Sequence, residues 1–445
     1  MDNLLPLNEW ISAARHPEHI VAFSDDKCWT QAMLVRDVHR LYGELNAYTG
    51  ERWALCFDNS YGFIVALLAT LHAGKTPLLP GHCRETQLRE QQSLFSGVLT
   101  DLPSGLDLDC PVINPQTLSS QPPQALSPIA HDAGVILFTS GSTGEPSQVF
   151  KPLSALNEES AWLAKLWGHE LQDCRVVASV SHQHMYGLTF RIMLPMALGL
   201  ACDVSMIHFP EQLAALTSHP LLFISSPAFL KRLDTNLMAP PCRKTISAAG
   251  LLDDKTAQQA KRWFGEAVCE IYGTTETGVL AWRQHQSAAP LWQPFPDVEF
   301  VAREEKWSVR SPLIAEGGCS LDDNLAFTRQ GGFRLLGRRD RIVKIEEKRV
   351  SLSEIERRLM TLPGVQDAAV VPIVRAGRMT PGAVVVLDGS VNLPAEYKKL
   401  WRDTLRQWLE PVAIPRYWRI VESIPLNSQS KRAWAQLQEL FDETH

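Results

Sequence analysis

The chain has 445 residues, of which 45% are hydrophobic and 21% charged, a composition typical of a globular protein with two or three domains. Its formal net charge of −6 argues against a general nucleic-acid binder. No signal peptide is expected, and no apolar stretch is long and uncharged enough to predict a membrane span. The nine cysteines include no C-x-x-C pair, so we expect reduced thiols in the cytoplasm rather than disulfides or a zinc site.

Short apolar runs alternate with helical patterns through the first two thirds of the chain. Helices are predicted over YGFIVALLATLHAG, SALNEESAWLAKLWG and DKTAQQAKRWFG. The runs that predict strands are RWALCFDNS, KTPLLPG, SGVLTDL, AGVILFTS, CRVVASVS, ACDVSMI, PLLFISS and RKTISAAG. This alternation predicts an α/β architecture with mostly parallel sheets, in which ligands bind beyond the carboxyl ends of the strands.

The pattern changes after about Ser287. PDVEFVAREEKWSVRSP alternates as half-buried antiparallel strands do, which predicts a small barrel-like β element. GGFRLLGRRDRIVKIEEKRVSLSEIERRL predicts a hairpin followed by a helix, and later apolar runs predict a small sheet with helices around Glu356 and Trp408. We therefore predict a large α/β domain over residues 1–337 and a small α+β domain over residues 338–445.

The strand AGVILFTS runs into a soft loop that is rich in hydrogen-bond donors, Thr139 to Gly144. Backbone N–H groups and hydroxyls of such a loop can converge on an anion, and Gly141 and Gly144 permit close approach of the backbone. A P-loop is excluded because no Lys-Ser or Lys-Thr follows Gly144. A turn without a ligand is the alternative.

Six segments, in order, resemble motifs of the adenylate-forming superfamily, which comprises acyl-CoA synthetases, adenylation domains and luciferases. FTSGSTGEPSQV resembles its phosphate loop, HMYGL its substrate-side histidine motif, and ISAAG its adenine-contacting loop. IYGTTETG resembles its Tyr-Gly-x-Thr-Glu motif, LGRRDRIVKIEEKRVSLSEIE its hinge, and IPLNSQSKR its catalytic-lysine motif. The resemblance covers roughly residues 20 to 435, and it implies that the smaller C-terminal domain is mobile.

The resemblance also implies a reaction. ATP and a carboxylate give an acyl-adenylate and pyrophosphate, and the acyl group then usually passes to a thiol. Because both reactants of the first step are anionic, catalysis is mostly positioning and charge neutralisation.

The resemblance implies roles for individual residues on the nucleotide side. Thr275 contacts the α-phosphate, and Glu276 binds Mg²⁺, with a solvated surface glutamate as the alternative. Tyr272 offers a face to adenine, with a core tyrosine as the alternative. The residues implied for the β- and γ-phosphates are Thr139, Ser140, Gly141, Ser142, Thr143 and Gly144. Those implied for the base, besides Tyr272, are Gly273, Ala249 and Gly250. Asp323 and Arg338 are implied for the ribose, with Asp322 as second choice for the carboxylate.

On the acid side, the resemblance places His184 beside the incoming carboxylate, with His182 next if the register differs by two. A packed histidine is the alternative. Ser226, Pro227 and Ala248 are expected to line the acid pocket. Lys431 is expected to reach the α-phosphate and carboxylate in the transition state, with an exposed surface lysine as the alternative, and the hinge is expected at Asp340.

Four positions depart from the pattern of this family. Ser147 stands where the family usually has lysine, and the nearest cation is Lys151. The Thr-Gly-Asp before the hinge is degenerate, which leaves Asp323 or Asp322. Glu347 stands where glycine is usual in the segment that lines the pantetheine tunnel, and Ser430 stands where glycine is common.

These motifs predict a stand-alone ligase that uses ATP and Mg²⁺ to adenylate an organic acid and load it onto a phosphopantetheine thiol. The thiol belongs either to CoA or to a separate acyl carrier protein, and an aryl or short acyl acid is favoured over a long-chain one. A non-catalytic nucleotide-binding relative is the alternative of another class. An adenylate-former whose second step is oxidation or amide formation is a third.

Overall fold

The computed structural model of the chain describes residues 4–12, 14–81, 83–102, 106–119, 124–139, 147–286, 290–303, 306–314, 318–338, 341–345, 348–375, 378–389, 397–427 and 431–442. Most of the loop expected to bind phosphate, residues 140–146, lies outside this part of the chain, and so do Asp340, Glu347 and Ser430. All nine cysteines are free thiols. In the described part of the chain, no helix has the length and apolar character needed to cross a bilayer.

The α-helices in the described part of the chain are α1 (Gln31–Leu45), α2 (Ser60–His72), α3 (Glu85–Glu90), α4 (Leu153–Trp167), α5 (Met185–Gly187), α6 (Leu194–Leu198), α7 (Pro210–Ala214), α8 (Pro227–Leu230), α9 (Asp254–Phe264), α10 (Leu352–Leu359), α11 (Tyr397–Leu405) and α12 (Trp434–Asp442). A π-helical segment, Leu188–Met193, joins α5 to α6. Short 3₁₀ turns lie at Leu7–Glu9, Gln92–Leu94, Pro115–Thr117 and Pro411–Ala413.

The strands that precede residue 299 are β1 (Ile20–Phe23), β2 (Cys28–Thr30), β3 (Arg52–Cys56), β4 (Thr76–Leu79), β5 (Gly97–Thr100), β6 (Val112–Ile113), β7 (Gly134–Thr139), β8 (Ser147–Pro152), β9 (Arg175–Ala178), β10 (Cys202–Asp203), β11 (Leu221–Ser225), β12 (Cys242–Ser247), β13 (Cys269–Thr274), β14 (Gly278–Gln284) and β15 (Gln293–Pro294). Those that follow are β16 (Glu299–Arg303), β17 (Lys306–Arg310), β18 (Cys319–Leu321), β19 (Asp323–Phe327), β20 (Phe333–Arg338), β21 (Ile342–Ile345), β22 (Lys348–Ser351), β23 (Val365–Arg375), β24 (Arg378–Leu387) and β25 (Tyr417–Val421).

Two sheets organise the larger part of the molecule. One has the strand order β15-β14-β13-β12-β11-β9-β10-β1-β2, the other β6-β5-β3-β4-β7-β8. Neighbouring strands are parallel from β13 through β1 and from β6 through β7, and the described antiparallel pairs are β1–β2, β7–β8, β13–β14 and β14–β15, toward the ends of the sheets. The prediction of an α/β domain with mostly parallel sheets is confirmed.

Helix α2 explains how the two sheets share a core. Its sequence, SYGFIVALLATLH, is apolar on every side, and almost every residue is buried. It packs against β3 and β4 of one sheet and against β1 and β10 of the other. A helix that is apolar all round is stable only when it is enclosed, and this position between two sheets encloses it. Asn59 begins the helix by accepting a hydrogen bond from the Gly62 N–H.

The chain forms two compact units, Met1–Glu299 with Arg310–Cys319, and Phe300–Val309 with Ser320–His445. In the second unit, β23, β24 and β25 form a small sheet, with α10 and α11 in one apolar cluster and α12 in another. The smaller α+β unit was predicted, but this unit also takes in β19 and β20. The domain boundary at residues 337/338 and the barrel-like closure of the β element stay predictions.

Candidate active site

The carboxyl ends of three neighbouring parallel strands, β11, β12 and β13, carry several of the predicted site residues. Ser226 and Pro227 follow β11, Ala248 follows β12, and Thr275 follows β13. The register pairs Ser225 with Ser247, so the first two strands end side by side. This edge of a parallel sheet is where α/β proteins bind ligands.

The histidine motif is fastened to this edge by a residue that the sequence did not single out. The Tyr186 hydroxyl lies 3.0 Å from the Ser225 carbonyl oxygen and 2.9 Å from that of Ile246, so it joins the carboxyl ends of strands β11 and β12. His184, two residues earlier, is half-buried and precedes α5. The motif HMYGL therefore lies beside the predicted acid pocket.

His182, the second candidate, is a core residue. It is 1% exposed, its Nε2 lies 2.9 Å from the Phe57 carbonyl oxygen, and its ring packs on Phe63. Burial lowers its pKa well below the ordinary value for histidine. Of the two histidines, only His184 has the exposure that contact with a substrate requires.

The loop after β12 has an unusual backbone. Ala249 has a φ of 70°, the left-handed region that residues with a Cβ rarely adopt. Gly250 is exposed, and a Cβ built on it would lie 3.7 Å from the Pro227 ring. The ISAAG segment is thus brought against the predicted acid pocket. Ser226 uses its hydroxyl to accept a hydrogen bond from the Phe229 N–H at the start of α8.

The turn between β13 and β14 presents Thr275 and Glu276 to solvent. Thr274 and Thr277 bracket this turn, and the Thr274 N–H donates to the Thr277 hydroxyl over 3.0 Å. Glu276 is exposed and Thr275 half-buried. The two side chains are therefore held in place by their own turn.

Gly273 is required by the close approach of the two strands at this turn. A Cβ at this position would lie 2.2 Å from the Gly278 carbonyl oxygen. We expect Gly273→Ala to lower the free energy of unfolding by about 2 kcal/mol, because the backbone must move apart, and to weaken AMP binding. Denaturant unfolding and AMP titration test this. Gly81→Ala, where no atom lies within 4 Å of the added Cβ, is the control, and equal stability of the two variants would contradict the prediction.

Lys151 joins the strand after the phosphate loop to the turn that carries Glu276. It lies on β8, which pairs with β7 across the loop, and Thr139 pairs with Ser147 at its base. The side chain is only 2% exposed, and Nζ donates to the Glu276 carbonyl oxygen over 2.7 Å. Lys151, the cation nearest in sequence to the phosphate loop, therefore holds the backbone of the Glu276 turn.

Glu159 on α4 completes this arrangement. It is 2% exposed, and it accepts hydrogen bonds from the Val279 N–H over 2.7 Å and from the Thr189 hydroxyl over 2.5 Å. Burial raises its pKa, while these hydrogen bonds and the charge of Lys151 oppose the increase. Burial lowers the pKa of Lys151, against the charges of Glu159 and Glu276. A signal for Glu159 was present, because it lies three residues after Leu156 on the apolar face of its helix.

Tyr272, expected beside adenine, packs into the fold. It is 9% exposed, and its ring centroid lies 5.8 Å from that of Trp292. The Arg283 guanidinium lies 4.5 Å above the Trp292 ring. Most of the Tyr272 side chain is therefore buried, as in the core-tyrosine alternative. Any contact with a base is left to the small part of the side chain that remains exposed.

The second unit places Lys431 in a short hairpin. Lys431 is exposed, its N–H donates to the Asn427 side chain, and its carbonyl accepts from the Asn427 N–H over 2.7 Å. Next to it, Arg432 forms ion pairs with Glu356 over 3.2 Å and with Asp367 over 3.0 Å. The backbone that bears the lysine is thereby tied to α10 and β23.

The two residues expected at the ribose also lie in the second unit. Asp323 and Arg338 are directly opposite each other in the antiparallel pair of β19 and β20. Asp323 is half-buried and Asp322 exposed. The strand pairing therefore places opposite each other the two positions that the resemblance assigns to the ribose.

Known proteins of the same fold were found among solved structures. The ATP-bound MatB from Rhodopseudomonas palustris covers 98% of this chain with a TM-score of 0.82 at 20% identity, and 99% of that chain is covered. The o-succinylbenzoate CoA synthetase of Bacillus subtilis in complex with AMP covers 97% with a TM-score of 0.80 at 18% identity, and 98% of that chain is covered. At these identities the likeness shows the fold, which is that of the adenylate-forming enzymes.

Sequence comparisons define the family. The AMP-binding enzyme family matches residues 81–306, and its C-terminal domain matches residues 354–431. The 4-coumarate–CoA ligase of Cereibacter sphaeroides is 25% identical over 307 residues, which are 66% of this chain and 69% of that protein. The mitochondrial malonate–CoA ligase ACSF3 of Bos taurus is 24% identical over 86% of this chain and 80% of its own. The chain belongs to the AMP-binding, adenylate-forming enzyme family, which confirms the resemblance predicted from the six motifs.

Proposed function

We propose that the protein is an AMP-forming acid–thiol ligase. The observation that supports this most directly is the hydrogen bond from Lys151 to the Glu276 carbonyl, since it brings the strand after the phosphate loop to the Thr275–Glu276 turn. The terminal phosphates and the α-phosphate of one ATP molecule need both segments at the same place. The carboxylate oxygen attacks the α-phosphorus, the bond to the β-phosphate bridging oxygen breaks, and pyrophosphate leaves.

The donor set fits a nucleotide-bound magnesium ion. The Glu276 carboxylate is exposed and offers the oxygen ligands that Mg²⁺ prefers. Among the residues that the structure describes, no group of three or more His, Cys, Asp or Glu side chains could hold a metal by itself. Bound Mg²⁺ would neutralise phosphate charge, and most of its ligands would be phosphate oxygens and water.

The proposed acid pocket lies between the histidine motif and the ends of β11 and β12. His184 would hold the incoming carboxylate, with Pro227 and Ala248 as apolar walls. Tyr186 would keep these walls in place through the Ser225 and Ile246 carbonyls. Lys431 would act on the charge that develops between carboxylate and α-phosphate.

We favour an aryl or short acyl acid as the substrate. Relatives in the same family are named as ligases of 4-coumarate, malonate and 3-hydroxybenzoate, all of them small acids. A long-chain acyl substrate is the alternative. The proposed acceptor is the phosphopantetheine thiol of CoA or of a separate acyl carrier protein, whose sulfur displaces AMP from the acyl-adenylate and releases one proton.

Pyrophosphate release across a panel of acids tests this function. The panel contains hydroxybenzoates, cinnamates, amino acids, and short and long fatty acids, each with no acceptor, with CoA, and with a phosphopantetheinylated carrier protein. We expect release with an aryl or short acid, and a thioester with one of the two acceptors. Measurable AMP binding with no release for any acid would instead support the non-catalytic relative, and adenylation without a thioester would support a different second step.

The phosphate loop has its own test. We expect Thr139→Val combined with Ser140→Ala to raise the Kd of pyrophosphate about thirtyfold, because two hydroxyl donors are lost at about 1 kcal/mol each. The Kd of AMP should change little. Calorimetric titration measures both constants, and an equal loss of AMP affinity would show that the loop does not hold the terminal phosphates.

A further inference from the structure

A second buried carboxylate, Glu270 on β13, lies beneath the loop that follows ISAAG. It is 1% exposed, and its Oε1 accepts a hydrogen bond from the Leu252 N–H over 2.8 Å. Its Oε2 faces Arg283, with Nε at 2.6 Å, and His285, with Nε2 at 2.5 Å. None of these residues was assigned a role from the sequence.

Burying a carboxylate is costly unless donors surround it. The donors around Glu270 come from two places on the chain, the backbone after the ISAAG loop and the strand β14. Through Arg283 the contacts continue to Trp292 and from there to the ring of Tyr272. The Glu270 carboxylate therefore contacts the segment after ISAAG directly, and it is connected to Tyr272 through Arg283 and Trp292. Both segments are expected to contact the base.

The loop needs such an anchor because of its backbone. Ala249 has a φ of 70°, a conformation that costs about 1 kcal/mol or more for a residue with a Cβ. Strained backbone persists only where surrounding contacts hold it. The hydrogen bond from Leu252 to Glu270 is a buried contact three residues after the strained position.

We propose that Glu270 is a positioning residue for the nucleotide base. It holds the loop from Ala249 to Leu252 through a backbone hydrogen bond, and it supports Tyr272 through Arg283 and Trp292. This inference rests on the proposed function, since it presumes that adenine binds between these segments. It concerns base recognition alone and leaves the phosphate side to Lys151 and Glu159.

Nucleotide binding to Glu270→Gln tests the proposal. We expect the Kd of AMP to rise about tenfold, the preference for AMP over GMP to fall, and the Kd of pyrophosphate to stay within about twofold of wild type. Glu159→Gln is the matched control, because Glu159 is also buried and also accepts from a backbone N–H, that of Val279. That control should leave the AMP-to-GMP preference unchanged, whatever it does to stability.

A second variant separates positioning from folding. Glu270→Gln leaves the Arg283 guanidinium without its counter-charge, which by itself destabilises a protein. Glu270→Leu with Arg283→Met removes both charges, and apolar replacement of a buried ion pair is often neutral for stability. We expect this double variant to be more stable than Glu270→Gln while its AMP affinity stays about tenfold weaker than that of wild type, since leucine offers no acceptor to the Leu252 N–H.

The outcomes are distinct. AMP affinity that returns with stability in the double variant, or AMP and pyrophosphate affinities that fall together in Glu270→Gln, would overturn the positioning role. Wild-type protein that binds AMP, with variants that bind it equally well, would reject this inference alone. Wild-type protein that binds no AMP would reject the proposed function and the inference with it.

Discussion

Replacing Lys431 with alanine is expected to slow adenylation about 10³-fold, while AMP still binds. The lysine is exposed, and its backbone is held by two hydrogen bonds with Asn427, so its place in the hairpin does not depend on its own ammonium group. A cation that meets the carboxylate and α-phosphate only as charge develops stabilises the transition state more than the ground state. Pyrophosphate release measures the first half-reaction.

The second half-reaction supplies the contrast. Thioester formation from pre-made acyl-adenylate should be slowed far less by Lys431→Ala, because the phosphate bond is already broken. Lys399→Ala, an exposed lysine on α11 of the same unit, is the control and should behave as wild type. If both half-reactions slowed equally, Lys431 would not be the adenylation lysine.

Replacing Lys151 with methionine is expected to lower the free energy of unfolding by about 3 kcal/mol and to abolish most adenylation. The substitution removes the donor to the Glu276 carbonyl and leaves the buried carboxylate of Glu159 without its nearest cation. The Thr275–Glu276 turn then loses its link to β8. Denaturant unfolding and pyrophosphate release measure the two effects.

Lys165→Met is the matched control, since Lys165 lies on α4 in the same unit but is exposed. It should change neither stability nor activity. Addition of Mg²⁺ and ATP should restore part of the stability of Lys151→Met only if the site still forms. A Lys151→Met variant that keeps full activity would show that the hydrogen bond to the Glu276 carbonyl is dispensable and would remove the main support for the proposed function.

The parts of the fold that the sequence predicted are those that depend on local pattern. Strand β11, with every residue buried, is a continuous apolar run that ends in serine, and α4 has a clear helical period. The antiparallel return of β14 against β13 was not predicted, although IYGTTETGVLAW contains both strands. The π-helical segment after the histidine motif was also missed, because its apolar sequence is equally compatible with an α-helix.

In the site, the sequence identified the residues with motifs but missed those that hold them. Glu159 and Glu270 are separated from their backbone partners, Val279 and Leu252, by 120 and 18 residues, and only the assembled sheets bring them together. Tyr186 lies within a recognised motif, yet its acceptors are carbonyl oxygens, which have no residue identity to read. Backbone partners of this kind become visible only in three dimensions.

The ion pairs of Arg432 limit the positions at which this protein can be recombined with its relatives. Arg432 contacts Glu356 and Asp367, and Arg341 contacts Glu356 as well, so the lysine hairpin shares its partners with elements far earlier in the chain. A crossover placed between Asp367 and Arg432 would join an arginine from one parent to carboxylate positions from another. Hybrids that exchange the whole segment from before Arg341 to beyond Arg432 take all these charges from one parent. Such hybrids should be active more often than hybrids with a crossover between Asp367 and Arg432.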